Sequence, residues 1–237
     1  MTARIRTVAV VGPDGAGKSA LVAALPASLP VPSATVYLGV NLEASRSMLP
    51  TTRLALALKR RGSGRPDLTG RFEAPVDGPG GVRRAARRTL RLVAWIAEEW
   101  YRAALVALRA RGGRLVLCDR HFLCDYYAAD VAPRPGRSLL SRIHGWQLGR
   151  FYPRPDLVLV LDAPPEVLHA RKGEDSLESL AGRRADYLAL KDVLPAVEVI
   201  DADRPFDEVL AAATAVIAAR IGGVVTPGGT RATSEAA

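Results

Sequence analysis

The chain has 237 residues, is 49% hydrophobic and 24% charged, and carries a formal net charge of +9. That length and apolar content suffice for one α/β domain carrying an insertion. Two cysteines, Cys118 and Cys124, are too few for a disulfide scaffold or a four-thiolate metal site, and no uninterrupted apolar stretch approaches the roughly 20 residues that span a bilayer.

An apolar strand expected over residues 4–11 runs into Gly12-Pro13-Asp14-Gly15-Ala16-Gly17-Lys18-Ser19, and the helix-like Ala20-Leu21-Val22-Ala23-Ala24-Leu25 follows. The spacing Gly-x4-Gly-Lys-Ser lets consecutive backbone N–H groups turn inward around phosphate oxygens, at the positive end of a helix. Gly12, Asp14, Gly15, Ala16, Gly17, Lys18, Ser19 and Ala20 are therefore candidate nucleotide-binding residues. Lys18 is expected to reach the β- and γ-phosphates, and Ser19 to offer its hydroxyl to a magnesium ion. The apolar run at 7–11 is too short for a secretory signal, so a reducing, cytoplasmic setting is the expectation.

The first helix is expected to end before Pro26, with Pro26, Pro30 and Pro32 marking a connection. A second strand over 35–40 leads toward an acceptor side and makes Tyr37 a candidate substrate contact. Residues 41–81 lose simple periodicity and carry Gly- and Pro-rich punctuation at 62–66 and 78–81, which predicts a mobile insertion with a basic helix over 52–61. Residues 40–92 hold 12 Arg or Lys against 4 Asp or Glu, almost the whole positive excess of the chain. Such a cluster is either a solvated basic segment or a surface for an anionic substrate or nucleic acid.

Residues 82–110 form the longest helical pattern, in which Leu92, Ile96, Trp100, Ala104 and Leu108 recur every four residues as an expected core stripe. Gly112-Gly113 stops it, and a buried strand over 114–118 delivers Asp119-Arg120-His121 at its carboxyl end. An ionised carboxylate there, opposite Lys18, can hold magnesium together with Ser19, directly or through water, or accept the acceptor's proton. His121 is expected at the rim, and His144 and His169 show no metal-like spacing. Further on, a helix is expected over 139–152 and an apolar strand over 157–161, ending at Asp162 as a cap for the next helix. A charged stretch over 171–187, a last strand over 197–200, a closing helix over 206–221 and a frayed tail at 222–237 complete the chain.

Strands separated by helices predict an α/β fold, with a parallel sheet, helices on both faces and ligands outside the carboxyl ends of the strands. The phosphate loop, Asp119-Arg120 and Asp162 all fall at such ends, so a single site is expected.

Five features in this order resemble the thymidylate kinase family of P-loop nucleoside and nucleotide kinases. They are the loop at 12–19, Asp119-Arg120 after an apolar strand, and Leu161-Asp162-Ala163-Pro164-Pro165-Glu166 followed by Arg171. Arg183-Arg184 ahead of Tyr187, and Val199-Ile200-Asp201-Ala202 before the last helix, complete the set. The resemblance implies a P-loop NTPase fold with a five-stranded parallel sheet over 1–221, an ATP donor with Mg2+, and a lid near 171–185. It implies too that Asp14 faces the acceptor's sugar and that Arg120 lies on the transferring or acceptor phosphate. Lys18, Asp119, Arg120, Arg171 and Arg183 would then be catalytic, with Lys172 and Arg184 competing as lid cations, and adenine would lie near 203–206.

The departures bear on the acceptor. Where the family's long helix carries a base-stacking aromatic and, a turn later, an arginine, counting back from Asp119 gives Trp95 and Glu99, with Arg102 as a substitute further along. Glu98 or Glu99 facing the acceptor would repel an anion and suit a neutral hydroxyl. The family's Arg-Glu-Pro-type segment is replaced by Tyr37-Leu38-Gly39-Val40-Asn41, leaving Arg46, Arg53 or the insertion to hold an acceptor phosphate. The expected activity is transfer of the γ-phosphate of Mg-ATP to a nucleoside monophosphate such as dTMP or a related nucleotide. The alternatives are a kinase of a nucleoside or sugar-like hydroxyl, and an ATPase or switch that binds nucleic acid or protein through residues 40–92. Against the switch stand the charged lid and the lack of aromatic-interleaved basic strands. A small-molecule acceptor is thus the expected partner, nucleic acid the lesser one, and a homodimer is compatible with the reading.

Overall fold

The computed structural model describes residues 5–39, 48–50, 52, 81–173 and 175–221. The chain runs through β1 (Thr7–Val11), α1 (Lys18–Ser28), β2 (Ser33–Tyr37), α2 (Gly81–Arg111), β3 (Leu115–Asp119) and α3 (Phe122–Tyr126), which continues as a π-helical turn (Tyr127–Val131). Next come α4 (Leu139–Arg150), β4 (Leu157–Asp162), α5 (Pro165–Lys172), α6 (Leu177–Leu188) and a 3-10 turn (Ala189–Asp192). β5 (Val197–Asp201) and α7 (Phe206–Ile221) close the fold.

All five strands are parallel, in the order β2-β3-β1-β4-β5. The central strands are near-continuous apolar runs because helices cover both faces; every residue of β3 is buried. Alternate side chains of each strand point to opposite faces. Val8, Val10, Leu117 and Leu159 therefore join one core with Leu21 and Leu25 of α1 and Ala213 and Ile217 of α7. Ala9, Val11, Cys118 and Val158 join the other with Trp95, Phe122, Leu148 and Tyr152. From β1 the chain crosses to β2 and β3 on one side and later to β4 and β5 on the other. The carboxyl end of β1 is thus the topological switch point where α/β sheets bind ligands.

Two local expectations are corrected. α1 does not stop before Pro26 but runs through it to Ser28; near the helix end Pro26 forfeits a single intrahelical bond, and Leu29 N–H still bonds Leu25 O at 3.1 Å. In α2 the strict four-residue stripe fails at its far end, since Trp100 is 38% and Leu108 59% exposed. Four residues advance a helix by about 400°, so such a repeat drifts about 40° per step and leaves the core face. The buried set is instead Leu92, Trp95, Glu98, Glu99, Arg102 and Ala103, spaced by threes and fours. The expected insertion, its basic helix and the tail lie outside the described residues, apart from 48–50, 52 and 81. No described helix is long and apolar enough to cross a membrane.

Candidate active site

The loop between β1 and α1 is shaped by close backbone approach. Gly12 has φ 144° and Gly15 φ 88°, and a Cβ at either would lie 2.5 Å from a carbonyl oxygen, of Leu161 and Leu168 respectively. Glycine is required at both positions, and the loop wraps tightly over the start of α5 and the end of β4. Lys18, at the first turn of α1, is 5% exposed and donates to the Pro13 carbonyl at 2.6 Å. Burial, together with the neighbouring Arg120 charge, depresses its pKa.

β1 and β3 are adjacent, which sets Asp119 opposite the loop; Ser19 Oγ donates to Asp119 Oδ2 at 2.7 Å. Asp119 Oδ1 is buried with no hydrogen-bond partner among the described residues. A hydroxyl and a carboxylate with spare lone pairs form an oxygen donor set suited to Mg2+. Arg120 follows in a left-handed conformation, φ 70°, while its N–H bonds Val10 O at 3.0 Å. The kink sends its side chain over the phosphate loop to Asp14.

Asp14 is the junction of the site. Its Oδ1 accepts from Arg120 at 2.5 Å and lies 3.8 Å from Lys172 Nζ and 3.9 Å from Lys18 Nζ. Its Oδ2 accepts from Arg183 at 2.9 Å. Burial works against the Asp14 charge, but Arg120, Lys18 and Lys172 outweigh it and pull the pKa below its usual value. For Arg120 burial opposes the charge, and the carboxylates of Asp125 and Asp14 more than compensate, raising the pKa. Four cations around one carboxylate are an arrangement able to bind a phosphate-sized anion in its place.

Two of them, Lys172 and Arg183, come from the region expected to form a lid. Lys172 ends α5, and Arg183 sits in α6, also clamped bidentately to Asp175 at 3.0 and 3.1 Å. Arg171 points elsewhere, donating to the Ala202 carbonyl after β5 at 2.9 Å. Arg184 forks onto Asp162 at 2.6 and 2.8 Å. Asp162 is therefore an ion-pair partner and not a helix cap: the N-cap of α5 is Pro164, and no side chain bonds there. Tyr37 reaches the same mouth, since a Cβ on Gly39 would collide with its hydroxyl and with Arg120 Cδ.

The α2 residues singled out from the sequence take no part in the ion pairs of this junction among the described residues. Trp95 is 9% exposed and packs edge-on against Phe122 at 5.9 Å. Glu99 is fully buried, accepting from Gln147 at 2.9 Å and meeting His144 Nε2 at 2.9 Å. Glu98 accepts from Arg102 Nε at 2.9 Å and from Leu49 N–H and the Thr52 hydroxyl, both at 3.0 Å. Arg102 is fully buried too, and its Nη1 donates to the Gly39 carbonyl at 2.9 Å. His144 Nδ1 pairs with Asp130 at 2.7 Å in the π-helical turn. Burial alone would depress the His144 pKa, but hydrogen bonds to Asp130 and Glu99 outweigh it and raise it to about 9. His121, expected at the rim, is a core residue 5% exposed, its pKa pushed down to about 4 by burial. No cluster of three or more potential metal ligands occurs among the described residues.

Sequence reasoning passed over Asp125 and Asp175, and used Tyr187 only as a mark of the family resemblance. Tyr187 OH donates to Asp125 at 2.8 Å; the signal available was the four-residue spacing from Arg183 to Tyr187, which places both on one helix face.

Five parallel strands in this order, a glycine loop at the switch point and a cation-ringed mouth define a P-loop kinase fold. The chain is 34% identical over 142 residues to the thymidylate kinase of Xanthomonas campestris pv. campestris (strain B100), covering 56% of this chain and 59% of that protein. It is 32% identical over 220 residues to the thymidylate kinase of Xylella fastidiosa (strain 9a5c), covering 89% of each, and 31% identical over the same length to that of strain Temecula1 / ATCC 700964. The chain belongs to the thymidylate kinase family. With the first of these relatives the match spans about three-fifths of the relative's length. No protein-family model matches the chain.

Proposed function

We propose that this chain transfers the γ-phosphate of Mg-ATP to a nucleoside monophosphate such as dTMP. The observation that carries this reading is the convergence of Lys18, Arg120, Lys172 and Arg183 on Asp14 at the mouth of the phosphate loop. A neutral acceptor would leave most of that charge idle, whereas two phosphates meeting in line would engage it.

The loop backbone from 12 to 20 would hold the donor phosphates, with Lys18 drawn from the Pro13 carbonyl onto their oxygens. Ser19 and the open oxygen of Asp119 would hold Mg2+, which would neutralise negative charge on the donor phosphates. Arg120 and Arg183, now on Asp14, would turn onto the acceptor and transferring phosphates. Asp14, released from them, could accept a hydrogen bond from the acceptor's sugar. Arg171, held at Ala202, would border the adenine side near 203–206. Closure of α6 over the phosphates would exclude water. The hydroxyl-acceptor alternative drew on Glu98 and Glu99, whose oxygens face their own partners in α2, α4 and residues 49 and 52. A cytoplasmic setting, where ATP is available and Cys118 and Cys124 stay reduced, goes with this reading.

An acceptor screen with γ-labelled ATP over nucleoside monophosphates, nucleosides and sugars tests it. Label is expected on dTMP or a close relative. Tight ATP binding with no labelled acceptor, or label on nucleosides alone, overturns it.

A further inference from the structure

Asp125, in α3 five residues after Arg120, makes none of the ion pairs around Asp14. Its Oδ1 accepts from the Tyr187 hydroxyl at 2.8 Å, and its Oδ2 is sealed from solvent with no hydrogen-bond partner among the described residues. A buried carboxylate oxygen without a donor is unfavourable unless nearby positive charge compensates. Arg120 supplies part of that charge, and Asp125 stands ahead of Asp14 among the carboxylates that support the Arg120 charge; burial still outweighs it and raises the Asp125 pKa to about 6.

Tyr187 lies in the last turn of α6, four residues after Arg183, so the two side chains leave the same helix face one turn apart. Arg183 reaches Asp14, and Tyr187 reaches Asp125. α6 is thereby tied at two points to the two carboxylates that counter Arg120. The contacts differ in what a ligand does to them. An incoming phosphate competes with Asp14 for Arg183, whereas it offers nothing that replaces the hydroxyl-to-carboxylate bond of Tyr187.

We propose that Asp125 and Tyr187 are positioning residues, whose hydrogen bond pins the carboxyl end of α6 so that Arg183 and Arg120 are presented together to the reacting phosphates. The pin limits the arrangements Arg183 must give up on reaching the phosphate, which is where preorganisation contributes to rate. This inference rests on the kinase reading for its kinetic consequences but not for the contact itself.

Two measurements test it. In phosphoryl transfer, Tyr187→Phe should lower kcat about tenfold with the KM for ATP unchanged within about twofold. Because Tyr187 acts through Arg183, the Tyr187→Phe/Arg183→Ala double variant should be no slower than Arg183→Ala alone. Multiplying effects, or a fall in melting temperature with kcat unchanged, overturn the proposal. Trypsin reads the contact without any acceptor. Tyr187→Phe and Asp125→Ala should each raise cleavage after Arg171, Lys172, Arg183 or Arg184 by about threefold or more, as expected when a local opening equilibrium shifts. Asp125→Asn, which keeps an acceptor for the hydroxyl, should restore protection; equal cleavage in all variants overturns the proposal. Altered trypsin sensitivity in a protein that phosphorylates no acceptor would uphold the pin and sink the kinase reading.

Discussion

Two polar clusters of the molecule are built to opposite specifications. Between α2 and α4, both oxygens of Glu99 and both ring nitrogens of His144 have partners within 3 Å, and Asp130 uses one oxygen on Ser141 and the other on His144. Around the phosphate loop, Asp119 and Asp125 each keep a sealed oxygen without a donor among the described residues, and the hydrogen bond of Lys18 goes to a backbone carbonyl. Buried polar groups in folded proteins are paired as a rule. A cluster that closes on itself holds helices together, while one with capacity to spare is set up for something that arrives from outside. Among the described residues, Arg102 Nη2, Trp95 Nε1 and, beside Asp130, Arg137 Nε are exceptions on the closed side.

The comparison is broken most directly at Lys18. Lys18→Ala should lower kcat for transfer by about a thousandfold or more, because a single preorganised charge on a phosphoryl transition state is worth that order of rate, while the melting temperature should hold or rise as a desolvated cation is removed. A steady-state assay beside a thermal melt checks both; a large loss of stability would mean that the open cluster is structural after all.

On the closed side the signs reverse. Glu99→Arg puts a second cation against His144 and breaks two buried hydrogen bonds, so destabilisation of about 3–5 kcal/mol is expected in urea unfolding. A stable variant with improved dTMP turnover would instead return position 99 to the acceptor. The His144 interaction carries its own pH signature. Its folded pKa of about 9 lies above the ordinary 6.5, so its stabilisation is complete below pH 6.5 and is lost as pH rises through 9. The shift corresponds to a stabilisation on the order of 3 kcal/mol. Wild type should therefore lose more stability than His144→Asn between pH 6.5 and 9.5. Parallel pH profiles for the two proteins would show that the imidazole is neutral in the fold.

What could be read from the sequence follows the same division. The phosphate loop, Asp119 and Arg120 were legible because phosphate chemistry demands particular residues at fixed spacing next to a strand, and the parallel sheet because its buried strands are uninterrupted apolar runs. The Glu99–His144–Asp130 cluster was not, because it joins residues 31 and 14 positions apart whose meeting depends on how α4 crosses α2. Gly145 permits the close approach of α4 to the π-helical turn that brings His144 to Asp130, since a Cβ there would run into the Asp130 carbonyl. Asp162 was misread for a related reason: strand-end carboxylates commonly cap helices, and only the turn of α6 reveals Arg184 as its partner.

Arg183 and Arg184 offer the finest version of the contrast, since adjacent residues of one helix address different carboxylates. Arg183 goes to Asp14, in the open cluster, whereas Arg184 saturates both oxygens of Asp162 and is 36% exposed. An exposed bidentate pair contributes little, so Arg184→Ala should lower stability by less than about 1 kcal/mol. Its kcat should stay within about threefold of wild type, against a loss of about a hundredfold for Arg183→Ala, the range of a removed transition-state donor. The two variants share helix propensity and the charge change, so their ratio of kcat values isolates direction from charge. Equal losses would mean that either arginine can swing onto the phosphates. Spare hydrogen-bonding capacity would then no longer distinguish the working side of the lid from its supporting side.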